Sequence, residues 1–176
     1  PILAAIAGGL AGLKYGYESI PQNWINEIVS KEYVEGLCNQ LYLSLTQKCI
    51  EKLSYFIPYF EAATEESVCH WGGGEKQGEN YYTMSYPIYD DTLEEFIQEF
   101  YKTNLMSYDY LNVIESRGLK DTNKINNAID DADMELLKAI LTGYVRQERF
   151  CDGIWVDAVR DKVFLKILKR FCELLI

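Results

Sequence analysis

Along most of the chain apolar residues recur at every third and fourth position, the spacing of one face of an α-helix. The pattern is clearest in Leu93, Phe96, Ile97 and Phe100, in Leu137, Ile140, Leu141 and Tyr144, and in Phe164, Ile167, Leu168, Phe171 and Leu175. Each set predicts a helix whose apolar stripe lies on a core, the first following Pro87 and the others over 134–150 and 161–175. In the last, Lys162, Lys166, Lys169 and Arg170 fall on the outward face. Earlier, the spacing predicts helices over 3–17, from Pro21 onward, and over 33–45, where Leu37, Leu41 and Leu45 share a face. It also predicts one over 47–63, with Ile50, Leu53, Phe56, Ile57 and Phe60 at core spacing and Pro58 as a kink or break. Shorter helices are expected over 108–116, ended by Gly118, and over 123–129.

Two stretches abandon this period. Val68-Cys69-His70-Trp71 is short and β-prone, Gly72 to Asn80 is a turn by composition, and Tyr81 to Tyr86 alternates sides. They predict a two-stranded hairpin within 68–86. A lone hairpin is marginal in water, so it should pack on the helices. The fold class expected is mainly α with a small β-hairpin (α+β).

The acidic pairs read as helix starts. Asp91 with Glu94 has the spacing of a capping box, and Asp130-Asp131-Ala132-Asp133 precedes Met134 where carboxylates favour a helix N-terminus. Asp121-Thr122-Asn123 lacks a second carboxylate. None of these is assigned a catalytic or metal role.

The opening run is unusual for a helix. Ala4, Gly8, Gly12 and Gly16 fall on one stripe that carries almost no side chain. Glycine costs a helix about 1 kcal/mol relative to alanine, so such a stripe implies another backbone lying close. The segment Ala4-Ala5-Ile6-Ala7-Gly8-Gly9-Leu10-Ala11-Gly12, followed by Ile20-Pro21 and Trp24, resembles the C-terminal end of the ADP-ribosylglycohydrolase family over roughly residues 3–41. The resemblance implies the last helices of an all-α fold. It also implies an activity, magnesium-dependent hydrolysis of N- or O-glycosidic bonds to ADP-ribose. That family's metal ligands are an early Ser/Thr-Asp-Asp motif and an Asp-x-Asp-Thr motif before the glycine helix. Here Pro1-Ile2-Leu3 stands before Ala4, and none of the three offers a carboxylate. The expectation is therefore no catalytic residue, no metal ligand and no cofactor in this chain, magnesium belonging to the complete family enzyme. The start at Pro1 fits either a trimmed mature end or a fragment.

A second resemblance lies near the other end. Gly143-Tyr144-Val145-Arg146-Gln147-Glu148-Arg149-Phe150, then Gly153 and Trp155, is similar to the signature of a small bacterial and archaeal helical family of unknown function, over roughly residues 47–176. The expected organisation is thus 1–46 as the hydrolase-like helices and 47–176 as this helical domain. Within the motif Glu148 follows Tyr144 by one turn, at the edge of the buried stripe, and a half-buried carboxylate needs a partner. One reading makes Arg146 and Arg149 an anion pocket with Glu148 orienting one guanidinium. The other makes Glu148 the centre of a structural network tying the helix end to the Gly153 turn and the hairpin.

Composition narrows the rest. The net charge is −10, although residues 138–176 hold eight basic and five acidic side chains. An acidic body disfavours nucleic acid as a partner. No run approaches the roughly 20 apolar residues of a membrane span. Five widely spaced cysteines without a C-x-x-C pair fit a reducing cytoplasm better than a disulfide frame or zinc site. Cys69 and His70, neighbours on a strand, point to opposite faces and form no dyad, which leaves His70 as a half-buried hairpin residue. Gly72-Gly73-Gly74 lacks the Lys-Ser or Lys-Thr of a phosphate loop. The leading expectation is the C-terminal portion of an ADP-ribosylglycohydrolase-like protein, inert alone, with the upstream hydrolase portion or another protein as partner. The alternatives are a non-catalytic binding module and, third, an enzyme built on Arg146, Glu148 and Arg149.

Overall fold

The computed structural model describes residues 2–76 and 81–175, with side chains there except those of residues 2–6 and 13. The part of the expected turn at 77–80 lies outside the described residues. The helices are α1 (Ile2–Tyr15), α2 (Gln22–Asn26), α3 (Lys31–Ser54), α4 (Ile57–Ala62), α5 (Glu65–Val68), α6 (Asp91–Tyr101), α7 (Tyr110–Ser116), α8 (Thr122–Ala128), α9 (Met134–Gln147), α10 (Ile154–Arg160) and α11 (Val163–Glu173). One antiparallel hairpin, β1 (Cys69–Gly72) with β2 (Tyr86–Tyr89), sits between α5 and α6. The architecture is mainly α with a small β element. The chain divides into two compact units, Pro1–Ser44 and Leu45–Ile176, the boundary falling inside α3.

In the second unit α9 is the central helix. All ten residues from Leu136 to Val145 are buried, as expected for a helix surrounded on every side. Its threonine hydroxyl is satisfied twice: Thr142 Oγ1 donates to the Lys138 carbonyl at 2.7 Å and accepts from Ser107 N–H at 2.9 Å. Around α9, α6 buries Leu93, Phe96, Ile97 and Phe100, and α11 buries Val163, Phe164, Ile167, Leu168 and Phe171. An aromatic knot ties α4, α6 and α11: the rings of Phe60 and Phe96 lie 4.8 Å apart edge to face, and Phe164 lies 5.3 Å from Phe96. Such pairs add about 0.5–1.5 kcal/mol each beyond the area they bury.

Caps set the helix boundaries. Asp90 begins α6, accepting from Thr92 and Leu93 N–H at 2.8 and 3.1 Å, and its other oxygen accepts from the Tyr59 hydroxyl. The cap is therefore Asp90 and not Asp91, because the chain is still extended at residue 90. Asp121 caps α8 through Lys124 N–H and Asp133 caps α9 through Leu136 N–H, both at 2.9 Å.

Several expectations are corrected. β2 is Tyr86–Tyr89 and not Tyr81–Tyr86; of the earlier stretch Tyr86 pairs with Gly72 as the first residue of β2, and Tyr82 joins an isolated bridge with Lys76. Pro87 stands inside β2 opposite Trp71, which a two-stranded sheet tolerates because both strands are edges. Beyond β1 the two arms lie close, and a β-carbon on Gly73 would lie 2.1 Å from the Met84 carbonyl oxygen. Residues 31–54 form one continuous helix, and Pro58 sits in the first turn of α4, where its missing N–H costs nothing. Leu37, Leu41 and Leu45 share a face but remain exposed, as does Leu175. α10 occupies residues to which the sequence pattern assigned no element. Lys162 is not outward: in left-handed backbone (φ 57°), it sends Nζ to the carbonyls of Ala63 and Phe60, at 3.0 and 3.4 Å, closing the C-terminal end of α4.

The first unit differs in kind. Between residues 7 and 44, Ile25 is the one buried described residue. Gly8, Gly9 and Gly12 face open space, with no atom within 4 Å of where their β-carbons would stand.

Candidate functional site

Glu148 lies just past α9, where the chain turns back toward α10. One carboxylate oxygen accepts from Gly153 N–H at 2.8 Å and from the Tyr89 hydroxyl; the other accepts from Trp155 N–H at 3.0 Å. The carboxylate thus holds the first amides of α10, whose donors have no partner within the helix. It also holds β2, since Tyr89 belongs to that strand and its ring lies tilted against Trp155, the centroids 4.8 Å apart. Gly153 is required here. Its φ of 92° is left-handed, and a β-carbon would come within 3.3 Å of the Trp71 indole. Burial and the hydrogen bond to Glu148 hold the Tyr89 hydroxyl well above its usual range.

The two arginines go elsewhere. Arg146 lies over the Tyr110 ring, 5.7 Å from its centroid, and Arg149 is exposed. Among the described residues no ion pair joins Glu148 to either. The three residues of the candidate anion pocket are neighbours in sequence with separate contacts, and the Glu148 network runs to the Gly153 turn and the hairpin. His70 is exposed on the outer hairpin face and not half-buried.

Sequence reasoning did not find a second candidate site, an opening in the second unit. An open cleft of about 990 Å³ lies among α7, α8, α9 and α10. Leu111, Ile114, Ile125, Ile140, Tyr144 and Ile154 form its apolar lining, and Gly143 lets α7 approach α9, with the Tyr110 ring 3.5 Å from where a β-carbon would stand. The polar rim carries Glu115, Asp121, Asp157 and Asp161 against Lys120 and Arg160. Arg160 is spoken for: Asp157 lies 2.6 Å, Asp161 3.0 Å and Glu65 4.0 Å from its guanidinium. The Tyr144 hydroxyl donates to Asn126 Oδ1 at 3.0 Å. It is pushed up to about 12, first by burial and then by the charges of Asp161 and Asp157, which Arg160 offsets only in part. Four short elements build this cleft, and no local motif marks it. The available signal was the clustering of Asp157, Arg160 and Asp161 after the Gly153 turn.

In the first unit, an apolar hollow of about 470 Å³ is lined by Tyr17, Ile28, Val34 and Cys38, among others, and Tyr17 donates to Glu35 at 2.6 Å. Carboxylates that would suit magnesium are not assembled there: Glu35 is taken by Tyr17 and lies 3.8 Å from Lys31. Among the described residues no three His, Cys, Asp or Glu side chains form a metal-holding group, and no helix is long and apolar enough to cross a membrane.

Comparison with known families divides the chain in a similar way. A model described as a family of unknown function (DUF6508) matches residues 45–175, and the ADP-ribosylglycohydrolase model matches residues 2–51. No curated protein and no solved structure matches.

Proposed function

This chain belongs to the family of unknown function DUF6508, and on that basis we propose a two-part role. Residues 2–51 are the closing helices of an ADP-ribosylglycohydrolase-like domain, and the rest is a helical domain appended to it. The complete protein hydrolyses glycosidic bonds to ADP-ribose with magnesium, and this chain alone performs no catalysis. The acids that hold magnesium come from a preceding portion.

The observation that carries this reading is the open glycine face of α1 in a segment that matches the hydrolase family. Each glycine costs the helix about 1 kcal/mol relative to alanine, and among the described residues nothing packs within 4 Å of a β-carbon built at Gly8, Gly9 or Gly12 to offset that cost. A second backbone against the stripe would. The exposed Val34, Leu37 and Leu41 on α3 argue the same way, since contiguous apolar surface of this kind marks an interface.

The test is reconstitution. This chain, purified alone and together with the preceding hydrolase portion, is assayed with magnesium for release of ADP-ribose from an ADP-ribosylated protein. The expected outcome is no release by the chain alone, release by the pair, and loss of the pair when Gly8→Leu and Gly12→Leu are combined. Release by this chain unaided, or full activity of the preceding portion without binding it, would overturn the reading.

A further inference from the structure

The cleft among α7–α10 belongs to the appended domain, and its chemistry differs from that of a nucleotide site. Its carboxylates outnumber its cations, so a pyrophosphate would meet repulsion there. Its floor is aliphatic, with Ile114, Ile140 and Ile154 around the bare backbone of Gly143. On one wall two carboxylates, Asp157 and Asp161, pair with the single guanidinium of Arg160, which Glu65, outside the lining, also approaches at 4.0 Å. That leaves unbalanced negative charge beside an apolar surface, and at the floor burial first, then the charges of Asp161 and Asp157, raises the Tyr144 hydroxyl.

We propose that this cleft docks a segment of a partner protein that carries Arg or Lys beside aliphatic residues. The aliphatic side chains lie on the isoleucine floor. The cation faces Asp157 and Asp161, sharing them with Arg160 as a second guanidinium can share a carboxylate pair. At about 990 Å³ the cleft stands at the upper end of ligand-sized sites, which suits several side chains better than a single small cation. Charge steers the encounter and selects the partner, while the floor supplies the apolar contact. The proposal rests on the second unit and does not depend on the hydrolase reading.

The test uses the full chain with isotope-labelled isoleucine methyl groups and the acetylated peptide Leu-Arg-Leu-Leu-Arg-Leu. The comparison probes are the same peptide with citrulline in place of arginine, the same peptide with glutamate, and ADP-ribose. The arginine peptide is expected to shift the methyl signals of Ile114, Ile140 and Ile154 in a saturable way. Its affinity should exceed that of the citrulline form by about tenfold and fall as salt rises. Combining Asp157→Asn with Asp161→Asn should bring it down to the citrulline level. Should that variant fail to fold, the peptide series on the unaltered chain decides. Stationary methyl signals, equal binding of the citrulline or glutamate peptides, or stronger shifts from ADP-ribose would each overturn the proposal.

Discussion

The two units handle apolar side chains in opposite ways. From Leu45 onward a core gathers around α9, and Phe60, Phe96, Phe100, Phe164 and Phe171 are essentially inaccessible. Before Ser44 similar residues stand in the open, with Leu10 63% and Trp24 65% exposed. Both stretches are helical, and both have apolar residues at helical spacing. Periodicity therefore reports that a face is meant to be covered, and not that this chain covers it. Burial depends on what else is assembled around the helix.

Alkali should separate the units most sharply. Tyr59, Tyr89 and Tyr144 all have hydroxyls raised above their ordinary value near 10, burial being the first cause in each. A folded value above the unfolded one means stability fully present below about pH 10 and lost as pH climbs through the folded values. Thermal scans against pH, read with tyrosinate absorbance, should show the second unit melting together with ionisation of these groups. Independent, non-cooperative titration would break the contrast.

Core truncation comes next. Phe164→Ala should destabilise the second unit by about 3–5 kcal/mol in denaturant titration, whereas Leu41→Ala in the exposed half of α3 should change it by less than about 0.5 kcal/mol. A smaller third effect probes the Glu148 network. Glu148→Gln keeps one acceptor oxygen for two amides and the Tyr89 hydroxyl, and a loss of about 1–3 kcal/mol with altered Trp155 fluorescence is expected. Arg149→Ala should be silent within about 0.5 kcal/mol. Equal losses from both would point back to a coupled site. The smallest effect sharpens the picture of α1: Gly8→Ala or Gly12→Ala should raise helicity in circular dichroism, each by about 0.5–1 kcal/mol of helix stability, because the added methyl meets nothing.

What was legible in the sequence follows from how local the cause is. The inward faces of α6, α9 and α11 were readable because each lies within one helix; Leu93 and Phe100 announce each other. The start of α6 was readable to within one residue because Asp90 and Asp91 are both able caps. β2 was misplaced because Tyr81–Tyr86 alternates like a strand while Pro87 looks like a stop. The actual pairing is set from outside, by Asp90 N–H donating to the Val68 carbonyl and by Tyr89 reaching Glu148. α10 was missed because its first turn is held by a side chain from the helix before it. The cleft was least legible of all, since its floor comes from residues as distant as Leu111 and Ile154.

Lys162 deserves a last consequence. A residue that must occupy left-handed backbone would ordinarily be glycine or asparagine. Lysine there accepts local torsional discomfort in return for length, reaching across to oxygens about a hundred positions earlier in the chain. Exchange for glycine would relax the torsion and sever that crossing together, with contributions of opposite sign. Methionine would keep the torsion and the reach but lose the donors, so comparing the two exchanges measures how much of the bond between the start and end of this domain rests on one ammonium group.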